Sequence, residues 1–367
     1  MMNGYFNRVL FVDLGSGQIE YREFTEEFWR SYVGGSGLGT WLMYQEVSPG
    51  ADPLGPENCL VFAVGPYQGT GLPGSAKWAV VGKSPVTGTF AVSTAGAEWG
   101  VRLKGAGLEA IVIKGQAEVP SLLWVTENGA EVRPAGALWG RDAVETVELA
   151  KREVGDDRAS VVTIGPAGER QVAIACICAD AHSFAGRCGL GAVMGSKNLK
   201  AVVVSGARAA QVARPEELRE VRRELAAKLA DLNKATFRAH GTALGVSDCE
   251  ASGDLPIKYW RGDRWPEGAA LIGAPRFTDF LRARSWPCHS CPVGCHRRID
   301  LQGRYHIHGG AGPEYESLAM LGSCCLVDDL EAVAWANDLC NRLGIDTISA
   351  GAFVGFIMAD LCQTSRN

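Results

Sequence analysis

Arg214-Pro215-Glu216-Glu217, followed by LREVRRELAAKLADL at 218–232, is the stretch at which the sequence changes character. A proline at the first helical position followed by two acidic residues is typical of a helix start, and the leucines continue at helical spacing. Short β-branched runs precede this stretch, and a largely helical pattern follows it. The sequence therefore predicts an α+β fold, with a β-sheet-rich N-terminal domain at 1–208 followed by an all-α domain at 209–367.

The β-rich part is predicted from short apolar runs bounded by Gly, Pro or Asn-Gly. RVLFVDL at 8–14 and QIEYREF at 18–24 flank Gly15-Ser16-Gly17, which predicts a β-hairpin. Helices are expected near residues 24–46 and 141–154. The other predicted strands are CLVFAVGP at 59–66, WAVVGKSP at 78–85, AIVIKG at 110–115, SLLWVTENGAEVRP at 121–134, SVVTIGP at 160–166 and KAVVVSG at 200–206.

Composition excludes several classes of protein. The 367 residues include 47% hydrophobic residues, enough to bury a sizeable core, so general disorder is excluded. With 36 Lys and Arg against 41 Asp and Glu and no basic run, neither nucleic acid nor a membrane surface is expected as a partner. No apolar run approaches about 18 residues, and the N-terminus lacks a signal-peptide pattern, so we expect a cytoplasmic protein.

Three of the twelve cysteines fall in one C-x2-C-x3-C run, at Cys288, Cys291 and Cys295. Thiolates are soft ligands, and at this spacing they can reach neighbouring irons of one cluster. A [4Fe-4S] cluster is the favoured interpretation. The alternatives are a chance grouping of structural thiols and a Cys3His zinc site, whose histidine would be His296, His306 or His308.

The stretch RCGLGAVMGSKNLK at 187–200 is rich in small residues, which let backbone amides approach a ligand closely. Arg187 and the lysines of this stretch would add cationic donors for a phosphate. On that interpretation a bulky residue at Gly189 or Gly191 would block the ligand and leave the chain folded. A structural glycine turn explains the pattern equally well. The glycines at 34–39 follow no clear strand, so a Rossmann domain is not predicted.

Residues 341–349, NRLGIDTIS, fit a helix–helix corner in which Gly344 ends one helix. Asp346 or Thr347 would cap the next helix. The same groups could present hydrogen bonds to a flat heterocycle or a phosphate, but the corner is the simpler interpretation.

Glu314 and Glu316 lie in GPEYE at 312–316, after His306 and His308. Carboxylates and imidazoles near a redox centre could move protons. Acids on an exposed loop are more often only solvated, and that alternative stays open here.

Taken in order along the chain, these motifs resemble the aldehyde ferredoxin oxidoreductase family. The resemblance implies a β-rich domain that cradles a bis-pterin tungsten, or less often molybdenum, cofactor, followed by helical domains. It also implies a [4Fe-4S] cluster beside one pterin, Mg2+ bridging the pterin phosphates, and oxidation of aldehydes to carboxylic acids with ferredoxin as electron acceptor. The motifs are KSPVTG at 83–88, STAG at 93–96, LKGAG at 103–107, RCGLGAVMGSKNLKA at 187–201, CHSCPVGC at 288–295, GPEYE at 312–316 and NRLGIDTIS at 341–349.

The resemblance also implies roles for single residues. Three of them are cluster ligands, Cys288, Cys291 and Cys295. Backbone carbonyls near Thr94 and Cys188 would hold the magnesium ion. Lys77 stands where the family usually has Arg, so a point charge replaces a bidentate fork. The residues expected to contact the pterin cofactor are Lys77, Ser93, Thr94, Ala95, Gly96, Arg187, Cys188, Gly189, Leu190, Gly191, Asn341, Gly344, Ile345 and Asp346.

We therefore expect an aldehyde oxidoreductase, incomplete relative to the family, with Glu314 or Glu316 handling protons. The alternative is a non-catalytic remnant, or an electron-transfer or assembly subunit that needs a partner chain. The final helix, ISAGAFVGFIMADLC at 348–362, is too apolar to face water, and the family places a further domain against this region. We expect the chain to associate with a second copy or with a partner that completes the fold.

Overall fold

The computed structural model describes residues 2–364, and the side chains up to residue 361. These residues form two compact units. The first unit comprises the chain up to Leu225 with the short segments Cys288–Cys291 and Arg342–Ile345, and the second comprises Ala226–Pro287, Pro292–Asn341 and the residues from Asp346 on. The α+β class is confirmed, and the domain boundary near residue 208 stays a prediction.

The strands of the first unit form two six-stranded sheets. In chain order they are β1 (Arg8–Asp13), β2 (Gln18–Glu23), β3 (Leu60–Ala63), β4 (Trp78–Lys83), β5 (Phe90–Ala95), β6 (Ala110–Lys114), β7 (Ser121–Thr126), β8 (Gly129–Pro134), β9 (Ser160–Thr163), β10 (Ile177–Ala179), β11 (Ser183–Ala185) and β12 (Leu199–Ser205). The first sheet has the order β2-β1-β6-β3-β4-β5, and the second has the order β11-β10-β9-β12-β7-β8. Asp13 of β1 pairs antiparallel with Gln18 of β2, which confirms the hairpin predicted at 15–17.

Helices connect many of the strands of the first unit. They are α1 (Glu26–Tyr32), α2 (Gly35–Glu46), α3 (Trp99–Gly105), α4 (Ala143–Val154), α5 (Pro166–Glu169) and α6 (Leu190–Ser196), and α7 (Pro215–Asn233) follows. Buried residues of α1 and α2 pack on the first sheet, and those of α4 pack on the second. These three helices confirm the ones expected near 24–46 and 141–154.

The main core of the first unit draws on both sheets. Val80 of the first sheet and Val202 of the second belong to one buried cluster. Within this cluster the centroid of the Trp78 ring lies 5.0 Å from that of the Trp99 ring and 5.9 Å from that of the Phe62 ring. Large buried aromatic side chains contribute strongly to stability. Trp99 begins α3 and directly follows the loop at 96–98. Its packing against Trp78 of β4 therefore fixes the C-terminal end of this loop.

The second unit is not entirely helical, which corrects the expectation of an all-α domain. A three-stranded antiparallel sheet has the order β13-β14-β15. Its strands are β13 (Arg284–Ser285), β14 (Arg297–Gln302) and β15 (His306–Ala311), and the helices after α7 are α8 (Phe237–His240), α9 (Gly245–Ser252), α10 (Pro266–Ile272), α11 (Arg276–Phe280), α12 (Tyr315–Leu321), α13 (Leu330–Leu343) and α14 (Thr347–Thr364), with 3-10 turns at Gly241–Leu244 and Ser323–Cys325.

The sequence pattern did not predict β14, because one of its buried residues is an arginine. Arg297, Ile299 and Leu301 alternate as buried residues of this strand, but only two of them are apolar. The Arg297 guanidinium donates to the backbone carbonyls of residues 237–239 and Cys295. It also donates to the Gly294 carbonyl, so five carbonyls satisfy its donors, and burial lowers its pKa. The alternation of buried and exposed residues typical of a strand is therefore visible in β14 only when Arg297 is counted as a buried residue.

Helix α14 exposes several large apolar side chains in the part of the chain that the structure describes. Phe353 is 64% exposed, Phe356 52% and Leu361 62%. On its other side α14 packs closely on α12, where a Cβ on Gly351 would lie 2.4 Å from the carbonyl oxygen of Met320. No helix among residues 2–364, α14 included, is long and apolar enough to cross a bilayer.

Candidate cluster and cofactor site

The C-x2-C-x3-C run lies in the loop between β13 and β14. Its three cysteines are partly exposed, and none of the eleven described cysteines forms a disulfide bond. The Cys291 amide donates to the Cys288 carbonyl at 3.1 Å, and Ser290 has a left-handed φ of 54°. This compact turn carries soft thiol ligands, as a metal cluster requires. Cys288 and Cys291 belong to the first unit, and Cys295 belongs to the second.

The predicted pterin loop at 93–96 contacts Cys288. A Cβ placed on Gly96 would lie 2.6 Å from the Sγ atom of Cys288, so a larger residue does not fit without displacing the thiol. The amide of Ala97 donates a hydrogen bond to the same sulfur at 3.4 Å. The structure thus brings together the end of a predicted cofactor loop and a predicted cluster ligand that lie far apart in the sequence.

A small charged group lies beside this contact. Nδ1 of His289 is 3.6 Å from a carboxylate oxygen of Glu98, and the Arg102 guanidinium is 3.0 Å from the same carboxylate. A hydrogen bond with His289 lowers the pKa of Glu98, with a smaller contribution from Arg102, against the opposing effect of partial burial. An ionised carboxylate therefore follows the loop that contacts Cys288.

Ser93, Thr94 and Ala95 form the end of β5, where successive side chains point to opposite faces. Ser93 and Ala95 are buried, and Thr94 is exposed. Lys77, one residue before β4, is also exposed, while its carbonyl accepts a hydrogen bond from the Gln68 side chain. The side chains of Thr94 and Lys77 are therefore accessible to a ligand, whereas those of Ser93 and Ala95 belong to the sheet.

Residues 187–191 form the turn that begins α6. Cys188 and Gly189 have left-handed φ values of 73° and 71°. The Ser84 hydroxyl donates to the Cys188 carbonyl at 2.9 Å. Arg187 is exposed, Cys188 is partly exposed, and Leu190 and Gly191 are buried. Arg187 is the side chain of this turn that an anion can reach most easily.

Gly189 and Gly191 are required by packing. A Cβ on Gly189 would lie 2.0 Å from the carbonyl oxygen of Ala173, and one on Gly191 would lie 2.4 Å from that of Cys176. A larger side chain must displace the segment at 173–176, which costs stability. We therefore expect a bulky residue here to destabilise the chain, contrary to the expectation that it would leave the chain folded, and its effect on a ligand stays a prediction.

The lysines of this stretch do not face a phosphate site, which corrects a second expectation. Lys197 and Lys200 are fully buried. Lys197 donates to the carbonyls of Asn58 at 2.6 Å and Gly115 at 3.3 Å, and burial lowers its pKa to about 8. Lys200 forms a buried ion pair with Glu169. Both ammonium groups therefore bind groups from distant segments of the first unit and are not available to a phosphate.

Residues 341–349 form the predicted helix–helix corner. Gly344 follows the last residue of α13 with a left-handed φ of 73°. The carboxylate of Asp346 accepts hydrogen bonds from the amides of Ile348 at 3.1 Å and Ser349 at 3.2 Å, which caps α14. The corner is confirmed, and a role in binding pterin stays a prediction.

The segment 342–345 is joined to the first unit by its backbone. The Cys176 amide donates to the Gly344 carbonyl at 2.9 Å, and Ile345 forms an isolated β-bridge with Ala175. The same Ala175 carbonyl accepts the amide of Gly191. Two of the predicted pterin segments, 187–191 and 342–345, thus contact the same stretch of chain. Asn341 and Asp346, which flank this segment, are both buried.

Glu314 lies at the N-cap of α12, close to Cys295 and His296. One ligand atom from each of these three residues lies within 4.8 Å of the others. The Oε1 atom of Glu314 is buried, is 3.7 Å from Nε2 of His296, and accepts no hydrogen bond from any residue that the structure describes. A buried carboxyl oxygen without a donor is suited to take up a proton or to bind a polar group.

The other residues considered with Glu314 are accessible to solvent. Glu316 is exposed in the first turn of α12. His306 and His308 are exposed on β15, and the His308 imidazole lies 3.0 Å from Asp300. The histidine beside Glu314 is therefore His296, and its position next to a predicted cluster cysteine was the available sequence signal.

Ala97, Asp180 and Ser183 surround the Cys288 contact but belong to no motif singled out in the sequence. The Gly96 amide donates to Ser183 Oγ at 2.7 Å. A single serine or aspartate in a loop has no distinctive spacing, so its role becomes visible only when the chain is folded.

Family models match almost the whole chain. The model of the N-terminal domain of aldehyde ferredoxin oxidoreductase matches residues 9–206, and the model of domains 2 and 3 matches residues 218–361. The chain belongs to the aldehyde ferredoxin oxidoreductase family. This membership establishes the chain as part of an oxidoreductase family and agrees with the resemblance inferred from its motifs.

Several known proteins are similar to this chain over almost its whole length. Tungsten-containing aldehyde ferredoxin oxidoreductase from Pyrococcus furiosus is 37% identical over 97% of this chain, and that from Thermococcus kodakarensis is 36% identical over 97%. The WOR-like subunit of aliphatic sulfonate oxidoreductase from Pyrococcus furiosus is 30% identical over 99%. The chain spans 59% or 60% of the length of these relatives.

A solved structure shares the fold. It is the active-site complex BamBC of benzoyl coenzyme A reductase with 1,5-dienoyl-CoA. The match has a TM-score of 0.86 and 27% identity, and it covers 99% of this chain and 57% of the other. The fold of the family therefore occurs in proteins with different substrates.

Proposed function

We propose that this protein oxidises aldehydes to carboxylic acids and passes the electrons to ferredoxin. In this reaction an aldehyde and water give the acid, two protons and two electrons. The observation that supports the proposal is the close approach of Gly96 to Cys288, since the first is an expected pterin-contact residue and the second is an expected ligand of the electron carrier. The aldehyde ferredoxin oxidoreductases, at 36–37% identity, support aldehydes over the sulfonate relative at 30%.

The residues of the cysteine run fit an iron–sulfur cluster. Cys288, Cys291 and Cys295 would each supply a thiolate to a [4Fe-4S] cluster. The Gly96 position without a side chain and the Ala97 amide leave the Cys288 sulfur in contact with backbone. No fourth ligand is assigned.

The residues of three other segments fit a tungsten or molybdenum bis-pterin group. The segments are 93–96, 187–191 and 341–346. Their small residues and backbone amides would allow a close approach of the group, and the exposed guanidinium of Arg187 would bind a phosphate. Carbonyls near Thr94 and Cys188 would hold Mg2+, since this hard cation prefers oxygen ligands. When bound, the pterin group would supply a two-electron acceptor, and the cluster would supply a one-electron carrier.

Glu314 is proposed to take up a proton released by the reaction. Its Oε1 atom is buried and lies 3.7 Å from Nε2 of His296. A proton on this oxygen therefore has the His296 imidazole as a neighbouring relay. Glu316 is exposed, so Glu314 is the better candidate of the two acids.

The cluster assignment has a direct test. Anaerobically purified protein is expected to absorb broadly near about 400 nm and to bleach on reduction, as thiolate-ligated clusters do. Cys291→Ala is expected to lose this absorption and most of the iron. Cys249→Ala is the matched control, because Cys249 is partly exposed as well but lies on α9. A colourless protein with stoichiometric zinc contradicts the assignment and supports the zinc alternative.

A second candidate function is an electron-transfer or assembly subunit that needs a partner chain. The apolar side chains exposed on α14 favour it, as do a relative described as a subunit and a solved structure that is a complex. Burial of apolar surface contributes about 25 cal/mol per Å2, so we expect the chain to associate with itself or with a partner.

Light scattering and metal analysis of one sample test this candidate. A non-catalytic subunit is expected to contain no tungsten or molybdenum, whereas an enzyme contains the metal together with pterin. A monodisperse, cofactor-loaded monomer with strong aldehyde turnover contradicts both the association and the subunit function.

A further inference from the structure

Three successive amides around the Cys288 contact donate to three different acceptors. The amides of residues 96–98 bind in turn Ser183 Oγ at 2.7 Å, Cys288 Sγ at 3.4 Å and a carboxylate oxygen of Asp180 at 3.1 Å. The central donor points at the sulfur, and the two outer donors are held by side chains of the segment at 180–183. The direction of the central N–H is therefore determined by its two neighbours.

The two outer acceptors are themselves held by the second sheet. Ser183 is buried and begins β11. The Asp180 carboxylate accepts hydrogen bonds from the Ser160 hydroxyl at 2.6 Å and from the Val161 amide at 2.9 Å, both on β9. A buried hydrogen-bonded network of this kind holds its members in one arrangement.

The loop also adopts a conformation that needs external support. Ala97 has a left-handed φ of 62°, which is uncommon for a residue with a Cβ. The carbonyl of Gly96 accepts from the Trp78 indole at 3.0 Å, and that of Ala97 accepts from the His289 amide at 3.3 Å. Every backbone polar group from the Gly96 amide to the Glu98 amide thus has a partner.

We propose that the Ala97 amide raises the reduction potential of the iron–sulfur cluster bound through Cys288, with Ser183 and Asp180 as its positioning residues. This inference rests on the proposed cluster. A donor to a thiolate stabilises the reduced cluster more than the oxidised one, because the reduced cluster carries one more negative charge. Loss of the hydrogen bond therefore shifts the potential to more negative values.

Two neutral substitutions test the proposal in anaerobically purified protein. Ser183→Ala removes the acceptor of the Gly96 amide, and Ser160→Ala removes one of the two donors from β9 that orient Asp180. Neither changes the charge near the cluster. An EPR-monitored redox titration is expected to show up to about a tenfold lower equilibrium constant for one-electron reduction, a shift of about 59 mV. Ser183→Ala is expected to have the larger effect.

Ser121→Ala is the matched control. Ser121 is as buried as Ser183 and lies on the same sheet, but its hydroxyl binds the Val119 carbonyl. The reduction potential of the cluster in the Ser121→Ala variant is expected to equal that in the parent protein. A negative shift in either test variant alone supports the proposal. Unshifted potentials in both, positive shifts, or loss of iron from folded chains of both overturn it.

The same experiment separates this inference from the proposed function. A parent protein with no iron–sulfur EPR signal contradicts the cluster itself, and with it the proposed function. A parent protein with a normal signal and variants with unchanged potentials contradict only the role of the Ala97 amide.

Discussion

Replacing Glu314 with Gln is expected to lower aldehyde turnover by about 10²- to 10⁴-fold, the usual contribution of a positioned acid–base group. Glutamine keeps the size of the side chain but cannot exchange a proton at the position of Oε1. That oxygen is buried, has no hydrogen-bond donor among residues 2–364, and lies 3.7 Å from Nε2 of His296. The measurement is oxidation of benzaldehyde and acetaldehyde by anaerobically purified protein with a viologen acceptor.

Glu316→Gln is the matched control for this substitution. It changes the same chemical group two residues away, but Glu316 is exposed, so turnover is expected to stay near the parent value. Iron and tungsten contents of both variants separate an effect on turnover from loss of a cofactor. Full turnover in cofactor-loaded Glu314→Gln protein would remove Glu314 from the reaction, and equal losses in both variants would show that its position is not special.

Replacing Gly191 with Ala is expected to destabilise the protein by about 1–3 kcal/mol, as overpacking of a well-packed core does. The added Cβ would lie 2.4 Å from the carbonyl oxygen of Cys176. Gly191 lies within α6, where alanine has the higher intrinsic helix propensity. A net loss of stability would therefore come from packing against the neighbouring segment, and thermal or denaturant unfolding measures it.

Gly136→Ala is the corresponding control, because a Cβ at this exposed position meets no atom within 4 Å. Its unfolding is expected to match that of the parent. If Gly191→Ala unfolds like the parent protein but loses its pterin, the close approach of a phosphate explains this glycine better than packing does.

Predictions from the sequence were accurate where local pattern and burial agree. The β1–β2 hairpin follows from two apolar runs around Gly15-Ser16-Gly17, and the corner at 341–349 follows from a glycine and a capping aspartate. Both depend on contacts between residues close in sequence. The order of the motifs was also sufficient to identify the family, because each motif is itself a short stretch.

Predictions failed where a polar residue is buried by distant partners. Lys197 looked like a donor for phosphate, but its ammonium group binds the carbonyls of Asn58 and Gly115, 139 and 82 residues away. Arg297 concealed a strand in the same way, because its burial depends on carbonyls of residues 237–239. The sequence shows that such a residue is charged, but it does not show which distant atoms will form hydrogen bonds with the buried side chain.

The sequence by itself determined the α+β class, the family and the cysteine run, whereas the segments that a cofactor would contact stay a prediction. Only the tertiary structure decided that Gly96 lies against Cys288 and that Ser183 and Asp180 accept the amides of Gly96 and Glu98. It also decided that Glu314 has a buried oxygen beside His296. The physical reason is that secondary structure follows from local periodicity. Burial, hydrogen-bond partners and close packing depend on atoms that arrive from elsewhere in the chain.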